Sequence, residues 1–304
     1  MTPLVSVIIC VRNGADTLGR QLAAVEAQRS THPFELVIVD NGSTDGTAEL
    51  IRHWAAEEHD AERFPVQIVD GGSVPGIPAA RNAGIRRARG RVLAFCDADD
   101  AIRDGWIQAF GDALRDREAL AGGSVHPHHP GDSETGASAL GVVQTPYLSH
   151  VGGACMAVTR AACDAVGGFD QTLPTYGFED VVFSWRVQEA GFPLLSVPDA
   201  AVDFTVSGNS ASIRKRFRLG QGRVLMARRF PAYDARRYTV GGTLKDAVEV
   251  SVGVLGAALR TRSVDRTDAG RVVAAWGRVY GCIVYGPLGG LLKRRLGARS
   301  GTGS

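Results

Sequence analysis

Four short apolar segments that alternate with segments of helical spacing constrain this fold more than any other feature of the sequence. The segments are rich in valine and isoleucine and cover residues 4–11, 35–40, 66–70 and 91–97. Uninterrupted apolar runs of this length are typical of strands covered on both faces. Segments with helical spacing alternate with them, at residues 16–28, 41–58 and 79–88. The alternation predicts a doubly wound, mostly parallel α/β sheet with right-handed crossovers, a Rossmann-like architecture.

The alternation stops near residue 120. Glycine, proline and serine predict a loop over residues 122–141, and β character returns at 150–160. A helix within residues 167–191 and two short strands within 193–207 are expected next. Residues 210–297 have mainly helical patterns. We therefore predict one domain over residues 1–208 and a C-terminal helical region over residues 209–304.

Composition excludes several classes of protein. The 34 basic and 32 acidic residues leave a net charge of +2, so we expect no nucleic-acid partner. The five cysteines have no zinc-like spacing and are interpreted as buried thiols in a reducing compartment. The sequence contains no run of 18 apolar residues and no signal-peptide pattern. These features predict a cytoplasmic protein.

Three carboxylates, Asp97, Asp99 and Asp100, directly follow the fourth predicted strand. Ligands of open α/β sheets bind beyond the carboxyl ends of the strands, where the strand order reverses. With the order 3-2-1-4, Arg12 after the first strand and Asp40 after the second would face the same cleft. The cluster is interpreted either as a seat for Mg²⁺ or Mn²⁺ holding a diphosphate, or as a solvated turn that caps the next helix. Spacing alone favours neither interpretation.

Four motifs, in this order, resemble those of the inverting family 2 glycosyltransferases of the GT-A fold. They lie within residues 4–205 and read VSVIICVRNGADTL, ELVIVDNGSTDGT, ARNAGIRRARGRVLAFCDADD and GGFDQTLPTYGFEDVVFSWRVQEAG. The resemblance implies that residues 1–208 bind a nucleotide-diphosphate sugar and transfer its sugar to an acceptor hydroxyl. It also implies a divalent cation, Mn²⁺ or Mg²⁺, as the cofactor. A glycan, a lipid-linked glycan or a small molecule would be the acceptor.

The same resemblance implies roles on the donor side. Asp40 corresponds to the family's acidic residue that hydrogen-bonds the nucleotide base, and Arg81 to its arginine near the base and phosphates. Asp97 corresponds to the residue that contacts the ribose or the metal. Asp99 corresponds to the direct metal ligand. Arg12 joins the nucleotide-sugar site because it follows the first strand.

On the acceptor side, the resemblance makes Asp180 the general base that takes the proton of the acceptor hydroxyl, and Glu179 a residue that orients the acceptor or the base. Both carboxylates also suit the first turn of a helix. Tyr176 is a candidate for stacking on a sugar. Many relatives carry a metal-binding histidine where this chain has Asp203. Either Asp203 replaces it, or water and phosphates complete the metal shell, or metal affinity is lower.

The C-terminal patterns are apolar with basic flanks and leave two hypotheses open. One is a peripheral helix on anionic lipid at the inner face of the plasma membrane. The other is a helical cap that packs on the sheet or on a second subunit in a homodimer.

Two other functions compete with sugar transfer. A nucleotidyltransferase of related fold usually has a Gly-rich basic loop after the first strand, which VRNGADTLGRQ lacks. A non-catalytic nucleotide-sugar-binding protein would not need five acidic and basic residues at the positions given above.

Overall fold

The structure is a computed structural model that describes residues 2–72, 74, 76–128, 139–173, 177–205, 213–263 and 266–286. The chain folds into two compact units. The first comprises Met1–Thr175 and Glu179–Gly208, and the second comprises Tyr176–Phe178 and Asn209–Ser304. The predicted sugar-stacking residue Tyr176 lies outside the described residues.

The first unit contains eleven described strands, of which nine form one sheet. Their bounds are β1 (Val5–Val11), β2 (Phe34–Asp40), β3 (Val66–Asp70), β4 (Val92–Asp97), β5 (Ala101–Ile102), β6 (Leu120–His128), β7 (Ala139–Leu140), β8 (Val142–Val143), β9 (His150–Val151), β10 (Cys155–Thr159) and β11 (Leu194–Thr205). The strand order is β3-β2-β1-β4-β10-β6-β11-β5, with β7 paired to β6 and with β8 and β9 paired separately. The strands β1 to β4 pair in parallel in the predicted order 3-2-1-4, and β10 is antiparallel to both of its neighbours.

Helices cover both faces of this sheet. Their bounds are α1 (Leu18–Ala27), α2 (Thr47–His53, continued by a π-helical turn at Trp54–Glu58), α3 (Ile77–Arg87), α4 (Trp106–Leu114), α5 (Arg160–Val166) and α6 (Glu179–Glu189). Along β1, Val7 and Ile9 pack in the layer that contains Trp106, whereas Ile8 packs in the layer that contains Phe95 and Phe183. Successive residues of the strand thus enter two different cores, which explains why its sequence is apolar without alternation.

The predicted loop over residues 122–141 is wrong for residues 122–128, which belong to β6. This strand lies inside the sheet, between β10 and β11. A Cβ atom at Gly122 would collide with Val151, and one at Gly123 with the carbonyl oxygen of Ala200. These glycines therefore allow close packing rather than a turn. The two strands predicted over residues 193–207 are one strand, β11, with an irregular register between Ser196 and Ala201.

The second unit contains the helices α7 (Ile213–Arg229), α8 (Val240–Thr261) and α9 (Arg266–Val284), as the helical patterns predicted. Helix α9 packs against both α7 and α8. A Cβ atom at Gly220 of α7 would collide with the carbonyl oxygen of Ala274, so small residues permit the close approach of α7 and α9. Among the residues described, no helix combines the length and the apolar character that crossing a bilayer requires.

Candidate active site

The loops that follow β1 and β2 are tied together at the carboxyl edge of the sheet. The backbone N–H of Asn13 donates to the hydroxyl of Ser43 at 3.0 Å, and the N–H of Thr44 donates to Oδ1 of Asn13 at 2.8 Å. The N–H of Ser43 in turn donates to Oδ1 of Asp40 at 2.9 Å. Ser43 and Thr44 have the side chains that commonly cap helices, but α2 begins only at Thr47 and their polar groups bind within these loops instead.

Asp40 and Arg12 lie beside this double loop. Asp40 ends β2, which is separated from β4 by β1, so its backbone lies about 10 Å from that of Asp97, or two strand spacings away. Arg12 follows β1 with an exposed side chain. Within the part of the chain that the structure describes, no hydrogen bond or ion pair links either residue to the carboxylates after β4. Among the described residues, Asp40 and Arg12 thus share the edge with that cluster without a hydrogen bond or ion pair to it.

Asp97, Asp99 and Asp100 form a compact acidic cluster after β4. One carboxylate oxygen of each residue lies within 4.8 Å of the others. The buried Asp100 accepts the N–H of Thr205 at 2.8 Å through Oδ1, while its Oδ2 is buried without a hydrogen-bond partner. Burial raises the pKa of Asp100 to about 8. Burial, opposed by Arg81 and assisted by Asp99, also raises the pKa of Asp97.

This cluster fits a hard divalent cation. Carboxylate oxygens are the ligands that Mg²⁺ and Mn²⁺ prefer, and a cation would satisfy the orphaned oxygen of Asp100. The competing interpretation, a helix cap, is wrong because residues 101–102 form β5 and α4 begins only at Trp106, after Gly105. Asp203 is not part of the cluster. Its Oδ1 instead accepts from Nη2 of Arg103 at 2.6 Å.

Arg81, on α3, lies buried between the acidic cluster and α6. Its Nη2 donates to Oδ1 of Asp97 at 3.3 Å and to the carbonyl oxygen of Gly153 at 3.2 Å, and its Nη1 lies 4.0 Å from Oε1 of Glu179. The guanidinium also lies 5.2 Å from the ring centroid of Phe169. Burial opposes the charged form, but the neighbouring carboxylates of Asp97 and Glu179 outweigh it and raise the pKa of Arg81. The guanidinium therefore connects the two acidic parts of the site.

Glu179 and Asp180 occupy the first turn of α6. Oδ2 of Asp180 accepts the N–H of Gly153 at 3.2 Å, so this glycine binds Arg81 through its carbonyl group and Asp180 through its N–H. Glu179 is buried, and its Oε2 has no hydrogen-bond partner. Burial, followed by the charge of Asp180, raises the pKa of Glu179. After burial and the charge of Asp99, the charge of Asp180 is a further cause that raises the pKa of Asp97.

Sequence reasoning missed Gly153 and His150. A Cβ atom at Gly153 would collide with the guanidinium of Arg81, so only glycine fits there. His150, on β9, has a buried Nδ1 without a hydrogen-bond partner, and burial lowers its pKa although Asp180 raises it. The signal for Gly153 was the glycine pair at residues 152–153 between two strands, which indicates close approach of the backbone. No local pattern marked His150.

A parallel sheet with an acidic cluster at its switch point, joined by a buried arginine to two carboxylates on a helix N-terminus, is an arrangement suited to a phosphate ligand held by a divalent cation. Comparison with known proteins identifies the family to which the chain belongs. The family model described as "Glycosyl transferase family 2" matches residues 6–152. Glycosyltransferase AglE of Haloferax volcanii is 30% identical over 234 residues, which cover 73% of this chain and 73% of AglE.

The chain belongs to glycosyltransferase family 2. It is therefore a glycosyltransferase and not a nucleotidyltransferase or a non-catalytic binding protein. Pre-mycofactocin glycosyltransferase of Mycobacterium tuberculosis is 27% identical over 264 residues, or 82% of this chain and 53% of that protein. This chain thus spans about half the length of that relative.

Solved structures confirm the GT-A fold. The mannosyltransferase PcManGT of Pyrobaculum calidifontis, solved with GDP-Man and Mn²⁺, superposes with a TM-score of 0.58 at 18% identity, over 92% of this chain and 88% of PcManGT. TarS 1-349 of S. aureus, solved with UDP-GlcNAc, superposes with a TM-score of 0.52 at 14% identity, over 94% of this chain and 74% of TarS 1-349.

Proposed function

We propose that this enzyme transfers a sugar, with inversion, from a nucleotide-diphosphate sugar to an acceptor hydroxyl with the help of Mn²⁺ or Mg²⁺. One observation carries the proposal. Arg81 binds both Asp97 and Gly153, and Gly153 binds Asp180. A metal-side carboxylate and a candidate base are thus held in one connected network, as a single displacement requires.

On the donor side, Asp97 and Asp99 would hold the cation, which when bound neutralises charge on the departing diphosphate. The unpartnered oxygen of Asp100 supports this assignment. Asp40 would accept a hydrogen bond from the nucleotide base. Its backbone lies about 10 Å from that of Asp97 along the edge of the sheet. Arg12 would add positive charge beside the phosphates. A nucleotide-sugar donor is supported by the GDP-Man and Mn²⁺ in PcManGT and by the UDP, GalNAc and Mn²⁺ in GalNAc-T7.

On the acceptor side, Asp180 would act as the general base and Glu179 would orient the acceptor. The acceptor oxygen forms a bond to the anomeric carbon while the bond from that carbon to the diphosphate oxygen breaks. The acceptor proton passes to Asp180, and the electron pair leaves with the diphosphate. The N-terminus of α6 holds Asp180 in a fixed position, and the N–H of Gly153 donates to its Oδ2 atom.

We propose a glycan, a lipid-linked glycan or a small molecule as the acceptor. We also propose that residues 1–208 form the catalytic domain and that residues 209–304 form the helical region, which contacts either the inner face of the plasma membrane or a second copy of the chain. Location in the cytoplasm fits the use of nucleotide sugars and remains part of this proposal.

A donor screen tests the proposed chemistry. Purified protein is incubated with single nucleotide sugars and Mn²⁺ or Mg²⁺, and release of nucleoside diphosphate is measured. Asp180→Asn should abolish transfer while nucleotide affinity stays within about twofold, since the base does not bind the donor. Asp164→Asn, an exposed carboxylate on α5, is the matched control and should keep full activity. A large loss of nucleotide affinity in Asp180→Asn would place Asp180 in the donor site and refute its role as the base.

A further inference from the structure

An exposed row of large aliphatic side chains runs along α8 in the second unit. The side chains are spaced by three or four residues, are between 39% and 74% exposed, and belong to Val240, Leu244, Val248, Val252, Leu255 and Leu259. This spacing places them on one face of the 22-residue helix. We call these six residues the apolar stripe. A contiguous apolar surface of this kind on a folded unit marks an interaction site.

The apolar stripe is distinct from the side of α8 that packs within the unit. Thr243 and Ala247 are the buried residues of α8, and Ala247 packs in a small core with residues of α9. On α9, the exposed Trp276 extends the apolar surface toward α8, because its indole N–H donates to the hydroxyl of Ser251 at 3.2 Å. Tyr280, one helical turn further on, is also exposed. Tryptophan and tyrosine are the residues that prefer the boundary between lipid headgroups and acyl chains.

The charge of the C-terminal region distinguishes between two partners that could cover the apolar stripe, a second copy of the chain and a lipid bilayer. Residues 209–304 contain 19 Lys and Arg against 5 Asp and Glu, whereas residues 1–208 contain 15 against 27. Two copies of so cationic a region would repel each other across a shared interface, while an anionic bilayer would attract it. Arg260 and Arg262 at the end of α8 supply basic groups beside Leu259 of the apolar stripe, while Lys245 pairs with Glu249 at 3.8 Å.

We propose that the second unit binds peripherally to an anionic lipid bilayer, with the apolar stripe, Trp276 and Tyr280 inserted at the boundary of headgroups and acyl chains. Apolar burial supplies the affinity, and the surrounding basic residues make it depend on lipid charge. The proposal concerns residues 240–280 and is independent of the chemistry proposed for the first unit.

Vesicle flotation with the full chain tests this surface. The wild type should float with vesicles of phosphatidylglycerol and phosphatidylcholine, should bind phosphatidylcholine vesicles weakly, and should lose binding as salt is raised. The triple variant Val252→Ser, Leu255→Ser, Leu259→Ser keeps the net charge. It should lower partitioning about a hundredfold, since each aliphatic side chain withdrawn from the bilayer costs roughly a fivefold change.

Two controls separate lipid binding from its alternatives. Ile68→Ser removes a comparably exposed aliphatic side chain from β3 and should leave partitioning unchanged. Sedimentation velocity and thermal melting are measured on the same proteins.

The proposal is overturned if the wild type does not bind anionic vesicles, or if the triple variant still binds them fully. If the wild type is a dimer that does not bind lipid and the triple variant is a monomer, the partner that covers the apolar stripe is a second copy of the chain. A lower Tm in the triple variant, without lipid binding, would show that another segment of the chain covers the stripe.

Discussion

Replacing Arg81 by methionine tests whether one buried guanidinium holds the two acidic parts of the site together. The change removes the hydrogen bonds to Asp97 and Gly153 and leaves the buried Glu179 without its cation. Breaking a buried ion pair costs about 3–5 kcal/mol. We expect the lower end, about 3 kcal/mol, because the Asp97 side chain is 42% exposed and water partly replaces its partner.

For a unit of this size, about 3 kcal/mol corresponds to a fall in Tm of roughly 6–12 °C, which calorimetry measures directly. Arg86→Met removes an exposed arginine from the same helix and should change the unfolding free energy by less than about 0.5 kcal/mol. Adding Glu179→Gln to Arg81→Met should recover about 1 kcal/mol, since it removes the charge left uncompensated. A loss below about 1 kcal/mol for Arg81→Met, with no recovery in the double variant, would refute this reasoning.

Three further substitutions test particular contacts. Gly153→Ala should displace Arg81 and lower both Tm and transferase activity, whereas Gly152→Ala, whose Cβ meets no atom within 4 Å, should behave as wild type in both assays. Asp203→Asn should lower the unfolding free energy by about 1 kcal/mol through its lost pair with Arg103 but leave the Mn²⁺ concentration for half-maximal activity unchanged. Burial raises the pKa of Glu179, so the folded state holds its proton more tightly than the unfolded chain and this stability is lost as pH rises through the folded value. Glu179→Gln should accordingly weaken the fall of Tm with rising pH, as melting across a pH series will show.

The parallel core of the fold could be predicted from sequence because its strands are buried on both sides. Ile8 packs in one layer while Val7 and Ile9 pack in the other, and this double burial produces the uninterrupted apolar runs. Once the order 3-2-1-4 is assumed, the strand tips bring Asp40 and Asp97 to the same edge of the sheet. The positions of these carboxylates follow from topology and need no side-chain detail.

Contacts between distant segments could not be predicted in this way. Arg81 and Gly153 are 72 residues apart, and nothing in the local pattern of either indicates the other. Gly122 and Gly123 suggested a loop because glycine is common in turns, but in β6 they make room for neighbouring atoms. Likewise Ser43 has the chemistry of a helix cap but donates and accepts within the adjoining loops instead.

Mn²⁺ titration in the presence of a nucleoside diphosphate tests most directly whether the cluster after β4 holds the catalytic cation. Calorimetry is performed on the wild type, on Asp99→Ala and on the control Asp203→Asn. We expect the wild type and Asp203→Asn to bind Mn²⁺ alike, and Asp99→Ala to lose at least about tenfold in affinity together with metal-dependent release of nucleoside diphosphate. Unchanged Mn²⁺ affinity in Asp99→Ala, or wild-type turnover that needs no metal, would contradict this account.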